Sequence, residues 1–114
     1  MIQSDIHQNG ICVVVPGTER LTAATAGDFK SEVSKLVDGG HDRLIIDLSK
    51  VTFVDSSGLG ALVGVLKKVG NRGEIVVCAP SDSVAQMFRI TRMDRVFATY
   101  PNVADALKTL EGQG

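Results

Sequence analysis

The sequence predicts an α/β domain: one unit over residues 1–114, opening with a β-hairpin and continuing as alternating helices and strands in a mixed, largely parallel sheet. Three observations lead there. Short runs rich in Val and Ile alternate with segments whose apolar residues recur at steps of three and four. Gly, Pro and Asn stand at the junctions between them. A length of 114 residues, with 44% hydrophobic and 22% charged side chains, is enough for one core and too short for two comfortable domains.

Residues 3–7 and 11–15 flank Gln8-Asn9-Gly10, whose Asn-Gly step favours a tight hairpin turn. Pro16 and Gly17 end the second strand. After Leu21-Thr22-Ala23-Ala24-Thr25, the residues Ala26, Phe29, Val33, Leu36 and Val37 mark one face of a helix that Gly39-Gly40 stops. Arg43 to Leu48 is the expected central strand; Ser49-Lys50 turns the chain, and Val51 to Val54 lead to Asp55-Ser56-Ser57-Gly58. Leu59, Leu62, Val63 and Leu66 then stripe a second helix. The turn Gly70-Asn71-Arg72-Gly73 precedes an apolar strand, Glu74 to Ala79, and Pro80-Ser81-Asp82-Ser83 opens a helix bearing Val84, Met87 and Phe88. A last short strand is expected around Val96 to Tyr100 and a final helix on Val103, Ala106, Leu107 and Leu110, with Gly112-Gln113-Gly114 fraying.

Composition removes several classes of function. A formal net charge of -1 gives no overall field to draw nucleic acid or an acidic membrane. One Tyr, four Phe and no Trp leave no set of stacking aromatics for single strands. No run approaches the roughly 18 to 20 apolar residues of a membrane span, and MIQSDIHQNG lacks the pattern of a secretory signal, so the expectation is a cytoplasmic protein. Cys12 and Cys78 each sit inside an apolar β-like run, where free Cys acts as a small buried hydrophobe. No metal-ligand spacing accompanies them, and no cofactor or metal is expected.

The chemistry concentrates at Asp55-Ser56-Ser57-Gly58, where an apolar strand meets an apolar-striped helix. A helix start leaves backbone N–H groups unpartnered and carries partial positive charge, so an oxyanion such as a serine phosphate is favoured there. Either Asp55 or Ser56 suits the N-cap position. Ser56, Gly60, Gly64 and Lys67 fall on the face away from the leucines, and each helical glycine costs about 1 kcal/mol relative to Ala. Two arrangements compensate for that cost: docking of a partner on this face, or close internal packing.

Enzymatic readings lack the residues they need. A serine hydrolase elbow requires Gly two positions before the nucleophile, where Ser56 has Val54, and only His7 and His41 are available as bases. A P-loop requires a Lys after its second glycine, which Gly58 to Leu66 does not supply. A phospho-aspartate receiver built on Asp47 or Asp55 requires an acidic pair after the first strand, where Pro16-Gly17-Thr18-Glu19 stands, and a Lys late in the sheet, where Pro101 stands.

The chain resembles the anti-sigma-factor antagonists, single STAS domains of bacterial partner-switching systems. The match is strongest over Leu44 to Lys68, where Ile45-Ile46-Asp47-Leu48, Phe53-Val54 and Asp55-Ser56-Ser57-Gly58-Leu59-Gly60 reproduce the family pattern, and it extends to Gly17, Arg20-Leu21-Thr22, Ala26, Phe88-Arg89-Ile90-Thr91 and Asp94-Arg95-Val96-Phe97. The resemblance implies a regulatory binding module and no active site. In its unphosphorylated form such a module binds an anti-sigma factor or serine kinase of the histidine-kinase-like ATPase class and frees that factor's client. It further implies phosphorylation by that partner on Ser56, reversal by a PP2C-type serine phosphatase, and Asp55, Ser57 and Gly58 as neighbouring site residues, with Gly58 allowing close approach. Two positions depart from the pattern: Thr22 stands where many members carry Asp, and Arg92-Met93 where Gly commonly precedes an apolar residue. The competing expectation is a STAS-like sensor or scaffold of a signalling complex, binding a small ligand at the same strand edge.

Overall fold

The computed structural model describes residues 1–112. Seven strands and four helices are formed among them, in the order β1 (Gln3–Ile6), β2 (Cys12–Val15), β3 (Arg20–Leu21), α1 (Ala26–Asp38), β4 (Arg43–Asp47), β5 (Phe53–Val54), α2 (Ser56–Val69), β6 (Glu74–Cys78), α3 (Asp82–Ile90), β7 (Thr99–Tyr100) and α4 (Val103–Gly112). The main sheet runs β1-β2-β4-β6-β7, antiparallel at β1–β2 and parallel across every other pair. This is the mixed, largely parallel α/β architecture that the alternating pattern predicts. Of the tail expected to fray, Gly112 closes α4, while Gln113 and Gly114 lie outside the described residues.

The hairpin turns where Asn9 and Gly10 take φ of 68° and 76°, and His7 N–H donates to the Ile11 carbonyl at 2.7 Å. Each strand of the sheet centre then divides its side chains between two faces. Cys12, Val14, Leu44, Ile46, Ile75 and Val77 point into a core shared with α1, α2 and α3, whereas Val13, Ile45, Val76 and Cys78 meet Ala106 and Leu110 of α4. Because β4 is covered on both faces, Leu44, Ile45 and Ile46 are all fully buried, which explains its unbroken apolar run. The Arg43 guanidinium donates to the Leu110 carbonyl, placing a cation at the C-terminal end of α4, where the helix dipole favours one.

Phe53–Val54, expected only as part of the lead to the serines, pairs in parallel with Arg20–Leu21 as a separate two-stranded sheet, and the β3 strand was not expected in the lead into α1. The last strand is confined to Thr99–Tyr100. Residues Met93–Arg95 form a 3-10 turn instead, and it drives Phe97 into the core at 1% exposure, with its ring 6.2 Å from that of Phe88.

Candidate functional site

Asp55 is the N-cap of α2: its backbone is extended, and its carboxylate accepts from Gly58 N–H at 3.0 Å. The choice left open between Asp55 and Ser56 therefore falls to Asp55, and Ser56 becomes the first residue of the helix. The Asp55 carbonyl accepts the first intrahelical bond, from Leu59 N–H at 3.0 Å. Neither Ser56 nor Ser57 N–H finds an acceptor among the described residues, so the helix start keeps two free donors beside its partial positive charge. Ser56 is exposed and Ser57 half-buried.

The junction is braced from β3. Asp55 N–H donates to the Leu21 carbonyl at 3.1 Å, and the same oxygen abuts Gly58, where any Cβ would fall far inside van der Waals contact with it. Gly58 is consequently buried, and the close approach it allows comes from Leu21 within the domain and not from a partner. Thr22, next along the chain, is half-buried and engaged locally: its N–H donates to Thr25 Oγ1 at 3.1 Å and its carbonyl receives Ala26 N–H at 2.7 Å, which starts α1.

The outward face of α2 divides along its length. Gly60 is exposed, with nothing within 4 Å of where a Cβ would stand, whereas Gly64 is half-covered by the Lys30 side chain of α1, whose Cε would lie 2.6 Å from a Cβ there. Lys67 is exposed, and its neighbour Lys68 is paired with Asp38 at 2.9 Å. The two arrangements weighed for the glycine face thus each apply to one residue: Gly60 is open and Gly64 is packed by α1. The buried side is broader than the leucine stripe suggests, with Leu59, Ala61, Leu62, Val65 and Val69 all facing the core.

Sequence reasoning passed over one flanking feature. Phe53, three residues before Ser56, is 37% exposed, and the Arg20 guanidinium lies over its ring at 4.5 Å from the centroid. The exposure of Phe53 carries no sequence signal: the other apolar residues of its segment, Val51 and Val54, are buried.

The topology separates Ser56 from any base. His7, paired with Asp5 at 3.2 Å, and His41 lie in the turns that precede β2 and β4, at the amino end of these parallel strands, whereas Ser56 stands at the opposite edge with α2. Asp47 uses its carboxylate to receive Ser49 N–H at 3.0 Å. Cys12 and Cys78 are free, fully buried and raised in pKa by desolvation, Cys78 to about 12. No helix among the described residues is long and apolar enough to cross a membrane.

Fold and site together define a small α/β domain that exposes a serine at the start of a helix. The family model for the STAS domain matches residues 3–106, and the chain belongs to the STAS domain family, in the branch of the anti-sigma factor antagonists. An anti-sigma F factor antagonist of Paenibacillus polymyxa is 30% identical over 107 residues, covering 92% of this chain and 91% of that one. The anti-sigma-F factor antagonist RsfB of Mycobacterium tuberculosis is 28% identical over 104 residues, covering 91% and 84%. Among solved structures, an anti-sigma factor antagonist from Mycobacterium paratuberculosis superposes with a TM-score of 0.83 at 27% identity, over 97% of this chain and 95% of that one.

Proposed function

We propose that this domain is a phosphorylation-controlled partner-switching protein of the cytoplasm, without catalytic activity of its own. Unphosphorylated, it binds an anti-sigma factor that is also a serine kinase of the histidine-kinase-like ATPase class, and so releases that factor's client. Phosphorylation of Ser56 by the same kinase ends the interaction, and a PP2C-type serine phosphatase restores it. The docking surface comprises Ser56 and Gly60 at its centre, with Asp55, Ser57, Thr22, Gly64 and Lys67 around it and Gly58 shaping it from beneath.

The observation that carries this reading is the pairing of an exposed Ser56 with free first-turn amides and an open Gly60 one turn further on. The amides and helix dipole suit a phosphate, so the fold tolerates the modification. A partner packed onto Gly60 would meet about two negative charges and three added oxygens. The recess beyond the carboxyl ends of β2 and β4 is lined by Val15, Pro16, Gly17, Thr18, Glu19 and Lys50 and does not include Ser56.

Incubation with the cognate kinase and Mg·ATP, followed by mass-spectrometric mapping, is expected to find one phosphate, on Ser56. Ser56→Ala should remain unmodified and still bind, while Ser56→Asp and Gly60→Arg should fold and fail to bind. Phosphate on another residue, or undiminished binding by both of the last two variants, would overturn the reading.

A further inference from the structure

The end of α3 carries a surface that the Ser56 reading leaves unused. Between Arg89 and Val96 the chain exposes three arginines, Arg89, Arg92 and Arg95, against one acid, Asp94. None of the three is in a salt bridge or a side-chain hydrogen bond among the described residues. The same strip holds two of the most exposed large apolar side chains of the domain, Ile90 at 68% and Val96 at 44%. A recess of about 240 Å³ adjoins it, lined by Pro80, Ala85, Phe88, Arg89, Asp94 and Thr99. The net charge of the whole chain is -1, so this cationic strip is a local feature and not a share of a general excess.

Arg92 sharpens the point. Its φ of 64° lies in the left-handed region, where a side chain is disfavoured and glycine is not. Its N–H and carbonyl close the local turns, with Arg92 N–H donating to Arg89 at 3.3 Å and Arg95 N–H donating to Arg92 at 3.1 Å, so the turn itself asks only for a backbone. A long cationic side chain thus occupies a position whose conformation argues for none, and exposed on the surface it makes no salt bridge or side-chain hydrogen bond among the described residues.

We propose that the Arg89–Val96 strip is a second protein-docking surface, fitted to an acidic segment that carries an aliphatic or aromatic residue. The segment's carboxylates meet the guanidinium groups, whose planar forks match them bidentately. Its apolar side chain enters the recess lined by Pro80, Ala85 and Phe88, and Ile90 and Val96 add exposed apolar surface to the same segment of chain. An anionic bilayer is the weaker fit. Polybasic membrane sites hold about four to eight cations, each contributing little alone, and three arginines with one acid fall short of that. The strip is separate from Ser56: the helix start that borders β5, where Ser83 Oγ donates to the Thr52 carbonyl at 2.9 Å, is at the other end of α3.

The test uses the full, unphosphorylated chain labelled with ¹⁵N and a twelve-residue peptide of alternating glutamate and leucine pairs. A matched peptide with lysine in place of glutamate and phosphatidylglycerol vesicles serve as the other arms. Chemical-shift changes are expected at residues 88–97 with the acidic peptide alone, weakening with salt. Arg95→Ser should weaken binding roughly three- to tenfold, the range of one lost charged contact. Arg92→Gly should weaken it similarly while raising the Tm, because it removes the charge and relieves the left-handed backbone together. The proposal fails if the shifts map elsewhere or are absent, if the vesicles bind in preference, or if Arg92→Gly and Arg95→Ser bind the peptide as the parent chain does. Each outcome is independent of whether Ser56 accepts phosphate.

Discussion

Three glycines spaced along α2 have three different roles. Gly58 is irreplaceable because a backbone atom, the Leu21 carbonyl oxygen, occupies the space of its missing side chain, and that oxygen is held in place by Asp55 N–H. Gly58→Ala is therefore expected to destabilise the domain by about 2 kcal/mol or more, the range of overpacking that the backbone must absorb. Urea unfolding measures this directly, and a variant within about 0.5 kcal/mol of the parent would show that β3 yields easily. Local sequence distinguishes none of these roles, since each is decided by a residue far along the chain: Leu21 for Gly58, Lys30 for Gly64 and nothing for Gly60. The N-cap is ambiguous for a related reason. Asp55 and Ser56 are both good caps, and the hydrogen bond from Asp55 N–H to Leu21 selects the residue whose backbone must stay extended.

At the scale of elements, the periodic ones were legible and the two-residue ones were not. The four helices and the strands β2, β4 and β6 each contain enough apolar positions to declare a period. Arg20–Leu21 and Phe53–Val54 have no period to show, and they form strands only because they meet each other. The early start expected for β7 has a similar origin. Val96 and Phe97 look like strand residues, yet the turn at Arg92 to Arg95 sends Phe97 inward and leaves Val96 outside. The site was legible as a motif, while its exposure was not, because which part of α2 remains open depends on where α1 lies across it. That division yields a prediction for the helix as an element. Gly60 lies mid-helix in open space, so Gly60→Ala should stabilise the domain by up to about 1 kcal/mol through helix propensity. If the proposed partner docks there, the same variant should bind it more weakly, so that stability and affinity move in opposite directions. A loss of stability on thermal unfolding would show that the space is not open.

Across the whole molecule, the sheet separates two apolar layers of unequal size, one beneath α1, α2 and α3 and one beneath α4 alone. A thiol is buried in each, Cys12 in the larger and Cys78 in the smaller. Desolvation raises Cys78 from an ordinary 9.0 to about 12, with the nearby Asp47 charge adding to the effect. In the unfolded chain that thiol ionises near its ordinary value, so between about pH 9 and 12 the unfolded state binds fewer protons than the folded one. Stability contributed by the neutral thiol is complete below pH 9 and falls as pH rises, by at most about 1.4 kcal/mol per pH unit. Thermal unfolding of the parent and of Cys78→Ala at pH 8 and pH 10 should show a smaller alkaline loss in the variant. Parallel losses would mean that other groups govern the alkaline limit.

The Leu21 carbonyl holds the start of α2 from its inner side only. Everything chemically variable about that helix start, the Ser56 hydroxyl and the space over Gly60, is on the outer side. Under the proposed function, surface and scaffold are thereby decoupled: a phosphate on Ser56 would rewrite what the domain presents to others, while the bonds that position the helix start stay as they are. Such a mark would need no refolding to be read or erased.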